Sequence, residues 1–307
     1  MMYDIIGDIH GHADELKALL ERLDYIKVDG IYRHLERTPI FLGDFIDRGP
    51  KIRETLQVVR PMIDSGTALA VMGNHEFNFL CYNREVVKDK FLREHNDDND
   101  KQVKSTVEAF EGKKDELENY LQWFYTLPLF LELDGFRIVH ACWKPDTISQ
   151  LQNLLLNDRL TPDLLIEAGT KETELYESIE VTLKGPEKDI SPDFFYDKED
   201  KRRTKSRVKW WLNPDGLKKS DYYIGSSMDT LLPLDMQQGW YYRKDEKPVF
   251  IGHYWKEGEL QLESSNVCCV DYSVAKPKKD TPNPRLVAYR WRAGKLEKEN
   301  LVIEDRH

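Results

Sequence analysis

The sequence has no uninterrupted apolar run of the roughly 20 residues that a membrane-spanning helix needs, which excludes a transmembrane segment. Its first residues lack the basic start, apolar stretch and small-residue cleavage site of a secretory signal, so we expect a cytoplasmic protein. Cysteine is scarce as well. The cysteines form no CxxC pair and are too dispersed for a disulfide framework, which fits a reducing compartment. They are Cys81, Cys142, Cys268 and Cys269.

Basic residues are outnumbered: 45 Lys and Arg stand against 55 Asp and Glu, and the formal net charge is −10. An acidic chain is repelled by nucleic-acid backbones and anionic lipid, so we expect neither general nucleic-acid binding nor a membrane partner. A local positive pocket is compatible with this balance. Apolar residues make up 40% of the 307 positions, enough for an ordinary core, and the length predicts a single domain over residues 1–307.

Three strand–loop–helix units follow one another near the start of the sequence. Tyr3–Ile6, Pro39–Leu42 and Ala68–Met72 are short apolar runs, and a glycine followed by a polar residue ends each of them. Apolar residues then recur at helical spacing, over 16–23 after the first run and over 52–63 after the second. Repeated units of this kind predict an α/β core with parallel strands.

The middle of the sequence begins with a change in composition. Residues 83–114 are polar and charged, with an acidic centre at 97–100, and predict a surface insertion. A helical stretch at about 115–125 follows. Asp134-Gly135 then separates the apolar runs 129–133 and 136–141, and an Asp-Gly pair in that position predicts a β-hairpin.

The remaining sequence alternates between irregular and regular stretches. Residues 145–187 have a mostly helical pattern, and 188–236 are irregular and rich in charged and aromatic residues. We therefore predict insertions over the core at 83–127 and 144–247. Strand signals return at 249–252, 266–270, 285–291 and near 301–303.

Side chains that can bind a metal ion follow nearly every predicted strand. In an open α/β sheet, ligands bind at the carboxyl ends of the strands, so these side chains are expected to meet in one crevice. A mixed carboxylate, imidazole and amide set suits Mn²⁺, Fe²⁺ or Zn²⁺ and argues against a thiolate zinc site. Helix capping would account for the carboxylates and the amide, but not for histidines at the same places. The residues are Asp8, His10, Asp44, Asn74, His75, His140 and His253.

Three of these strand ends carry motifs that resemble the calcineurin-like metallophosphoesterases, in the branch of phosphoprotein phosphatases and bacterial symmetrical diadenosine tetraphosphatases. Their order and spacing, about thirty residues apart, make the combination specific. The resemblance is dense over 3–79 and continues as short islands at 139–140 and 252–253. The motifs are Gly7-Asp8-Ile9-His10-Gly11, Gly43-Asp44-Phe45-Ile46-Asp47-Arg48-Gly49 and Gly73-Asn74-His75-Glu76.

The resemblance implies a fold and a set of residue roles. The fold would be a four-layer αββα sandwich, in which two packed sheets lie between layers of helices, with helical and irregular insertions. Two divalent ions would activate a water molecule as nucleophile, Mn²⁺ being the expected metal and Fe, Zn, Ni or Co the alternatives. Asp8 and His10 would hold the first ion, and Asp44 would bridge both. Asn74, His140 and His253 would complete the second.

Further roles concern the substrate. The resemblance implies that His75 is the general acid for the leaving oxygen, that Asp47 orients it and that Arg48 grips the phosphate through its planar fork. Family members usually have a second phosphate-binding arginine between the last two histidine ligands. The candidates are Arg202, Arg203 and Arg207, and the sequence does not choose between them.

Three functions are compatible with these residues. The first is a protein serine/threonine-type phosphatase or general phosphomonoesterase, acting on a phosphorylated protein. The alternative is a hydrolase of dinucleoside polyphosphates such as diadenosine tetraphosphate, with a small nucleotide as partner. The third is a phosphate-binding regulatory module with weak catalysis, which the presence of every expected ligand and of His75 disfavours.

Overall fold

The computed structural model describes residues 1–196, 202–277, 281 and 283–306. Up to residue 139 it has the regular elements that the sequence led us to expect, together with two short hairpins and one helix that were not predicted. In chain order these elements are β1 (Met2–Ile6), α1 (Ala13–Arg22), β2 (Ile26–Val28), β3 (Ile31–Arg33), β4 (Arg37–Phe41), α2 (Ile52–Asp64), β5 (Leu69–Ala70), α3 (Asn74–Asn83), β6 (Glu85–Val87), β7 (Lys90–Phe91), α4 (Asp97–Ala109), α5 (Lys114–Phe124), β8 (Phe130–Leu133) and β9 (Phe136–Val139).

The second half begins with helices, continues with short strands and helices, and ends with longer strands. Its elements are α6 (Pro145–Leu154), α7 (Leu164–Gly169), α8 (Glu174–Lys184), β10 (Glu187–Asp189), β11 (Phe195–Tyr196), β12 (Arg202–Arg203), β13 (Lys205–Arg207), α9 (Lys219–Tyr222), α10 (Leu234–Gln237), β14 (Val249–Ile251), β15 (Val267–Cys269), β16 (Arg285–Trp291), a 3₁₀ turn (Lys298–Asn300) and β17 (Leu301–Asp305).

Two sheets form the centre of the described structure. The first has the order β17-β16-β1-β4-β5, and β1, β4 and β5 run parallel as predicted. The second has the order β15-β14-β9-β8, in which β14 is parallel to both of its neighbours. The hairpin at Asp134-Gly135 is confirmed, because Leu133 pairs with Phe136.

The sheets face each other across an apolar layer, and their outer faces carry helices. Along β1 and β4, neighbouring residues alternate: Ile5 and Ile40 belong to the layer between the sheets, whereas Ile6 and Phe41 belong to the core beneath the helices. This period of two is that of strands buried on both faces. The predicted four-layer α/β sandwich is thus confirmed.

The structure differs from the sequence prediction at several elements. The strand expected at 68–72 is shorter, because the Met72 amide leaves the first sheet and donates to the Pro128 carbonyl. The hairpin β2–β3 was not predicted. The segment 83–114, predicted to be a surface insertion, forms the hairpin β6–β7 and helix α4. Among the helices of the described residues, none combines the length and the apolar character that crossing a membrane requires.

Candidate functional site

The candidate metal ligands lie at the carboxyl ends of strands from both sheets. Asp8 and His10 follow β1, Asp44 follows β4, and Asn74 and His75 follow β5 as the first residues of α3. From the second sheet, His140 follows β9 and His253 follows β14. All except His253 are buried, and His253 is half-buried. The structure therefore brings all seven residues together in one cluster, and Asp44, Asn74, His75 and His253 line the crevice above it.

The loop after β4 is held in place by a carboxylate that the sequence analysis did not single out. Glu76 accepts hydrogen bonds from the backbone amides of Gly73, Asp44 and Phe45, at 3.0, 2.8 and 2.8 Å. A signal existed, because a Glu three residues after a helix N-cap reaches back to the cap amide. Asp44 itself has a φ of 52°, a strained value that such bonds help to maintain.

Asp44 is the centre of the cluster. Its Oδ1 accepts a hydrogen bond from the His75 backbone amide at 2.9 Å. Its Oδ2 lies 3.4 Å from Nε2 of both His10 and His140, and 3.9 Å from Nε2 of His75. One carboxylate oxygen thus faces three imidazoles.

Backbone carbonyls fix which nitrogen of two histidines faces Asp44. Nδ1 of His10 lies 2.8 Å from the Ile46 carbonyl oxygen, and Nδ1 of His140 lies 2.6 Å from that of Leu42. Since a carbonyl only accepts, Nδ1 carries the proton in each ring and Nε2 is directed into the cluster. Such outer contacts are typical of metal-binding histidines.

Two buried polar atoms of the cluster have no hydrogen-bond partner among the described residues: Oδ1 of Asp8 and Nε2 of His253. Oδ2 of Asp8 accepts from the His253 amide at 3.0 Å, and Nδ1 of His253 lies 2.8 Å from Oδ1 of Asn74. Gly252 leaves just enough room, because a Cβ there would lie 2.0 Å from Oδ1 of Asp8. Buried oxygen and nitrogen atoms that have lone pairs but no hydrogen-bond partner fit a site that binds a cation.

Donor atoms within 4.8 Å of one another form two groups in the described chain: His10, Asp44 and His75, and Asp8, Asp44 and His140. Both contain Asp44, which agrees with its expected bridging position. The membership of the two groups otherwise differs from the sequence prediction. That prediction places Asp8 and His10 on the same metal ion and gives His75 the role of general acid. The oxygen and imidazole donors in both groups fit divalent ions of the Mn²⁺ or Zn²⁺ type.

Burial and mutual charge shift the pKa values of the cluster. Burial favours protonation of Asp44, but His140 and His75 outweigh it and hold the pKa of this carboxyl well below its usual range. Burial opposes the charge of His140, yet Asp44 and Asp8 raise its pKa to about 10. Burial, assisted by Arg48, lowers the pKa of His10 well below its usual value. The neighbouring charges and burial therefore shift the pKa values of His140 and His10 in opposite directions.

Beside the cluster, His75 and Asp47 form a buried pair. Nδ1 of His75 lies 2.6 Å from Oδ2 of Asp47. The Thr106 hydroxyl donates to Oδ1 of Asp47 at 2.5 Å and accepts from the Asp47 amide at 2.9 Å. Nε2 of Gln102 lies 3.4 Å from Nδ1 of His75. Thr106 and Gln102 belong to α4, so the first insertion supports this pair, and no sequence signal indicated it.

Arg48 is exposed at the mouth of the crevice. Its Nη1 and Nη2 lie 2.9 and 3.0 Å from Nε2 of His10 and His75. The guanidinium carbon lies 4.1 Å from the centre of the Trp255 ring, a cation–π contact that the sequence analysis missed. Arg48 thus presents its fork directly over the histidine side of the cluster.

The crevice has a volume of about 650 Å³ and is lined by cationic side chains from distant parts of the chain. Of the three candidate arginines, Arg207 lines it. Desolvation lowers the pKa of the half-buried His253 well below its usual value, and the charge of Arg207 lowers it further. Arg202 and Arg203 lie on the exposed strand β12 and are not among the crevice lining. The guanidinium of Arg202 instead lies 4.4 Å from the Phe194 ring centre. The remaining cations are Arg48, Arg93, Lys184 and Lys276.

Together, an aspartate shared by two groups of imidazole and carboxylate donors, a His–Asp pair and an exposed arginine define a class, the metal-dependent phosphoesterases. The chain belongs to the calcineurin-like phosphoesterase family, whose model matches residues 1–213. This confirms the family that the motifs indicated.

Individual proteins resemble the chain over shorter stretches. It is 47% identical over 76 residues to the asymmetrical bis(5'-nucleosyl)-tetraphosphatase of Bacillus velezensis, which is 24% of this chain and 30% of that protein. It is 34% identical over 142 residues to the symmetrical bis(5'-nucleosyl)-tetraphosphatase of Vibrio parahaemolyticus, which is 46% of this chain and 44% of that protein. The chain thus spans less than half the length of these relatives.

A solved structure resembles the fold over nearly the whole chain. It is a protein serine/threonine phosphatase from Saccharomyces cerevisiae, with a TM-score of 0.53 and 16% sequence identity, covering 99% of this chain and 79% of that one. At this identity the likeness concerns the fold alone. It agrees with the sandwich architecture described above.

Proposed function

We propose that the chain hydrolyses a phosphoanhydride bond of a dinucleoside polyphosphate, with the help of two divalent metal ions. The cationic lining of the crevice carries this proposal. Arg48, Arg93, Lys184, Arg207 and Lys276 line it, against the acidic Asp44 and Glu257 among the described residues. A phosphomonoester has a charge of roughly −1.5 to −2, which fewer cations would match, whereas a chain of phosphates extends negative charge along the crevice.

The names of the relatives support the same choice. Both bacterial relatives are named bis(5'-nucleosyl)-tetraphosphatases. The sequence analysis placed a protein phosphatase first and the dinucleotide hydrolase second. The relatives favour the second choice, because the resemblance to a protein phosphatase concerns the fold alone.

Some residues of the site would bind the metal ions, and others would contact the substrate. Asp8, His10 and Asp44 would hold one ion, and Asp44 would share the other with the second ligand set, Asn74, His140 and His253. Bound ions of this kind supply positive charge and an acidified water molecule. Mn²⁺ is our first choice of metal, since the donor set suits it.

His75 would act as the general acid. The Asp47 carboxylate accepts a hydrogen bond from Nδ1 of His75, which directs Nε2 of the ring toward the crevice. A proton on Nε2 could then pass to the leaving oxygen. Arg48 would bind the phosphate under attack through its fork, and Arg207 would be the second phosphate-binding arginine, since it lines the crevice. We infer no such role for Arg202 or Arg203.

The test compares substrates on one metal-loaded protein. Protein stripped of metal and resupplied with Mn²⁺ is assayed with diadenosine tetraphosphate, a phosphopeptide and para-nitrophenyl phosphate. We expect the highest kcat/KM for the dinucleotide. A phosphopeptide preference would instead support the protein phosphatase, and no turnover with two metal ions bound would support the regulatory module.

The matched control is Asp44→Asn. Asn is among the residues that best tolerate the positive φ of 52° at this position, so the backbone should be retained. We expect the variant to fold, to bind less metal by elemental analysis and to lose turnover on every substrate. Full activity in this variant would contradict the proposed bridging role.

A further inference from the structure

A second cavity adjoins the crevice. It also has a volume of about 650 Å³, and it shares Asn78, Arg93 and Lys184 with the crevice lining. We call it the outer cavity. Each of the two lies within the ordinary range of roughly 300–1,000 Å³ for small-ligand sites. The shared residues show that the two cavities are neighbours, so an elongated ligand that passes Arg93 and Lys184 would extend from one to the other.

The predicted insertions build most of the outer cavity. Helix α3 of the core contributes Phe77 and Asn78, whereas Arg93 and Asn99 come from the first insertion and Tyr176 from the second. The cavity is therefore a feature of these segments rather than of the strand ends that carry the metal-ligand candidates.

Two cations lie where the cavities meet. Nη1 and Nη2 of Arg93 donate to Asn78 and Gln102, at 3.3 and 2.9 Å, which fixes the plane of the guanidinium. Its buried Nε has no hydrogen-bond partner among the described residues. Lys184 pairs with Glu180, and its ammonium lies 5.9 Å from the centre of the Phe77 ring. A guanidinium whose plane is fixed at the boundary of the two cavities suits a phosphate group, because each Nη has a second N–H that can donate.

Beyond this boundary the charge changes sign. Glu94, Glu172 and Glu180 line the outer cavity, against Lys171 as the further cation. These carboxylates would repel additional phosphates. The remaining polar lining consists of the amides of Asn96 and Asn99 and the ring of Tyr176, groups that hydrogen-bond or stack with an uncharged heterocycle.

We propose that Arg93 and Lys184 bind the phosphates beyond the scissile bond, and that the outer cavity receives the nucleoside at that end of the substrate. This assignment rests on the proposed function and makes it more specific, because it names the residues and the cavity that would bind the part of the substrate beyond the scissile bond. Arg93 and Lys184 would determine specificity, whereas the residues around Asp44 carry the reaction itself.

The test removes each charge separately. Arg93→Gln and Lys184→Gln are compared with Arg243→Gln and Lys104→Gln, which change exposed side chains outside the crevice lining. We expect kcat/KM for diadenosine tetraphosphate to fall roughly tenfold or more in the first two variants, as for loss of a charge-assisted hydrogen bond. With para-nitrophenyl phosphate, which has no phosphate beyond the scissile bond, we expect less than about a twofold change.

Some outcomes would overturn the assignment. Arg93 also contacts Gln102, so an equal loss on both substrates would mean that it acts through the His75 side of the crevice. Unchanged kinetics in Lys184→Gln, which has no such contact, would likewise count against the proposal. Arg93→Lys, which keeps the charge but not the fork, should lie between the wild type and Arg93→Gln on the dinucleotide.

A separate measurement distinguishes failure of the cavity from failure of the proposed function. If the wild type does not cleave the dinucleotide, the proposed function is wrong, and adenosine triphosphate is then tested as an inhibitor of para-nitrophenyl phosphate hydrolysis. Inhibition that weakens roughly tenfold in Arg93→Gln would still support the outer cavity as a nucleotide site. Inhibition that is absent, or equal in both proteins, would reject it.

Discussion

Asp47→Asn is the substitution that best tests the role of the buried pair beside the metal cluster. Both oxygens of Asp47 accept hydrogen bonds, one from the Thr106 hydroxyl and one from Nδ1 of His75. An asparagine has a single oxygen. If that oxygen stays with Thr106, its amide group faces the imidazole and donates to Nδ1, so His75 must carry its proton on Nε2 alone.

The expected cost follows from the loss of the doubly protonated ring, because an imidazole with a proton on Nε2 alone is a far weaker acid than an imidazolium. His75 would lose the carboxylate that supports a protonated ring during transfer, and general acid–base assistance contributes about 10²- to 10⁴-fold in rate. We expect kcat to fall by about 10²-fold or more for a substrate with a basic leaving group. The fall should be much smaller for para-nitrophenyl phosphate, whose leaving group scarcely needs a proton. KM should change little, because Asp47 is buried and does not line the crevice.

The assay is a series of aryl phosphates of increasing leaving-group basicity, measured on metal-loaded wild type and variant. We expect the rate of the variant to decline more steeply along the series. Thr106→Ser retains the hydroxyl and serves as the control, with rates near those of the wild type. An identical factor of loss for every leaving group, or a reduced metal content in Asp47→Asn, would refute the assignment of His75 as the acid.

Two further predictions concern the room for a side chain beside Asp8 and the pH dependence of stability. In Gly252→Ala, the added methyl group would clash with the carboxylate of Asp8, so we expect weaker metal binding in a metal titration. The far-ultraviolet circular dichroism spectrum should match that of the wild type. Undiminished metal affinity would contradict this prediction. In Tyr25→Phe, a buried hydrogen bond to Asp4 of 2.9 Å is lost, and we expect the free energy of unfolding at pH 7 to fall by about 1–3 kcal/mol in denaturant titrations. Burial and the Asp4 carboxylate raise the pKa of Tyr25 above its usual value of 10.0, so the unfolded chain releases this proton first and wild-type stability declines above about pH 10. The variant should lose less stability than the wild type over that range, and parallel pH profiles would show that Tyr25 does not titrate in this way.

Much of the core could be predicted because its signals are local. An apolar run that ends in Gly43-Asp44, for example, specifies a buried strand, a sharp turn and a polar side chain at the sheet edge within a few residues. One local signal did not lead to a prediction, namely an Asp-Gly pair between two short strands. Asp29-Gly30 joins β2 and β3 in the same way as Asp134-Gly135 joins β8 and β9. The strands around Asp29 are short, and β2 is fully exposed, so the apolar alternation was weak.

The surroundings of the cluster could not be predicted in the same way. Thr106 contacts Asp47 from 59 positions further along the chain, and nothing in the polar pattern of α4 marks that residue. The choice among Arg202, Arg203 and Arg207 depends on how the strands β12 and β13 lie relative to the crevice. These three arginines lie within six residues of one another and have similar local sequence surroundings. Only tertiary packing determines which of them reaches the crevice.

The pairing of β1 has a consequence for how the chain acquires its structure. This first strand lies inside its sheet, and one of its neighbours is β16, with Tyr3 opposite Trp291. Contacts between such distant positions slow folding, because a long loop must close before they form. During synthesis, one edge of β1 stays without its partner until β16 has emerged from the ribosome. An unpaired apolar edge invites association with other chains, so the nascent protein should depend on chaperones or on low concentration over that interval.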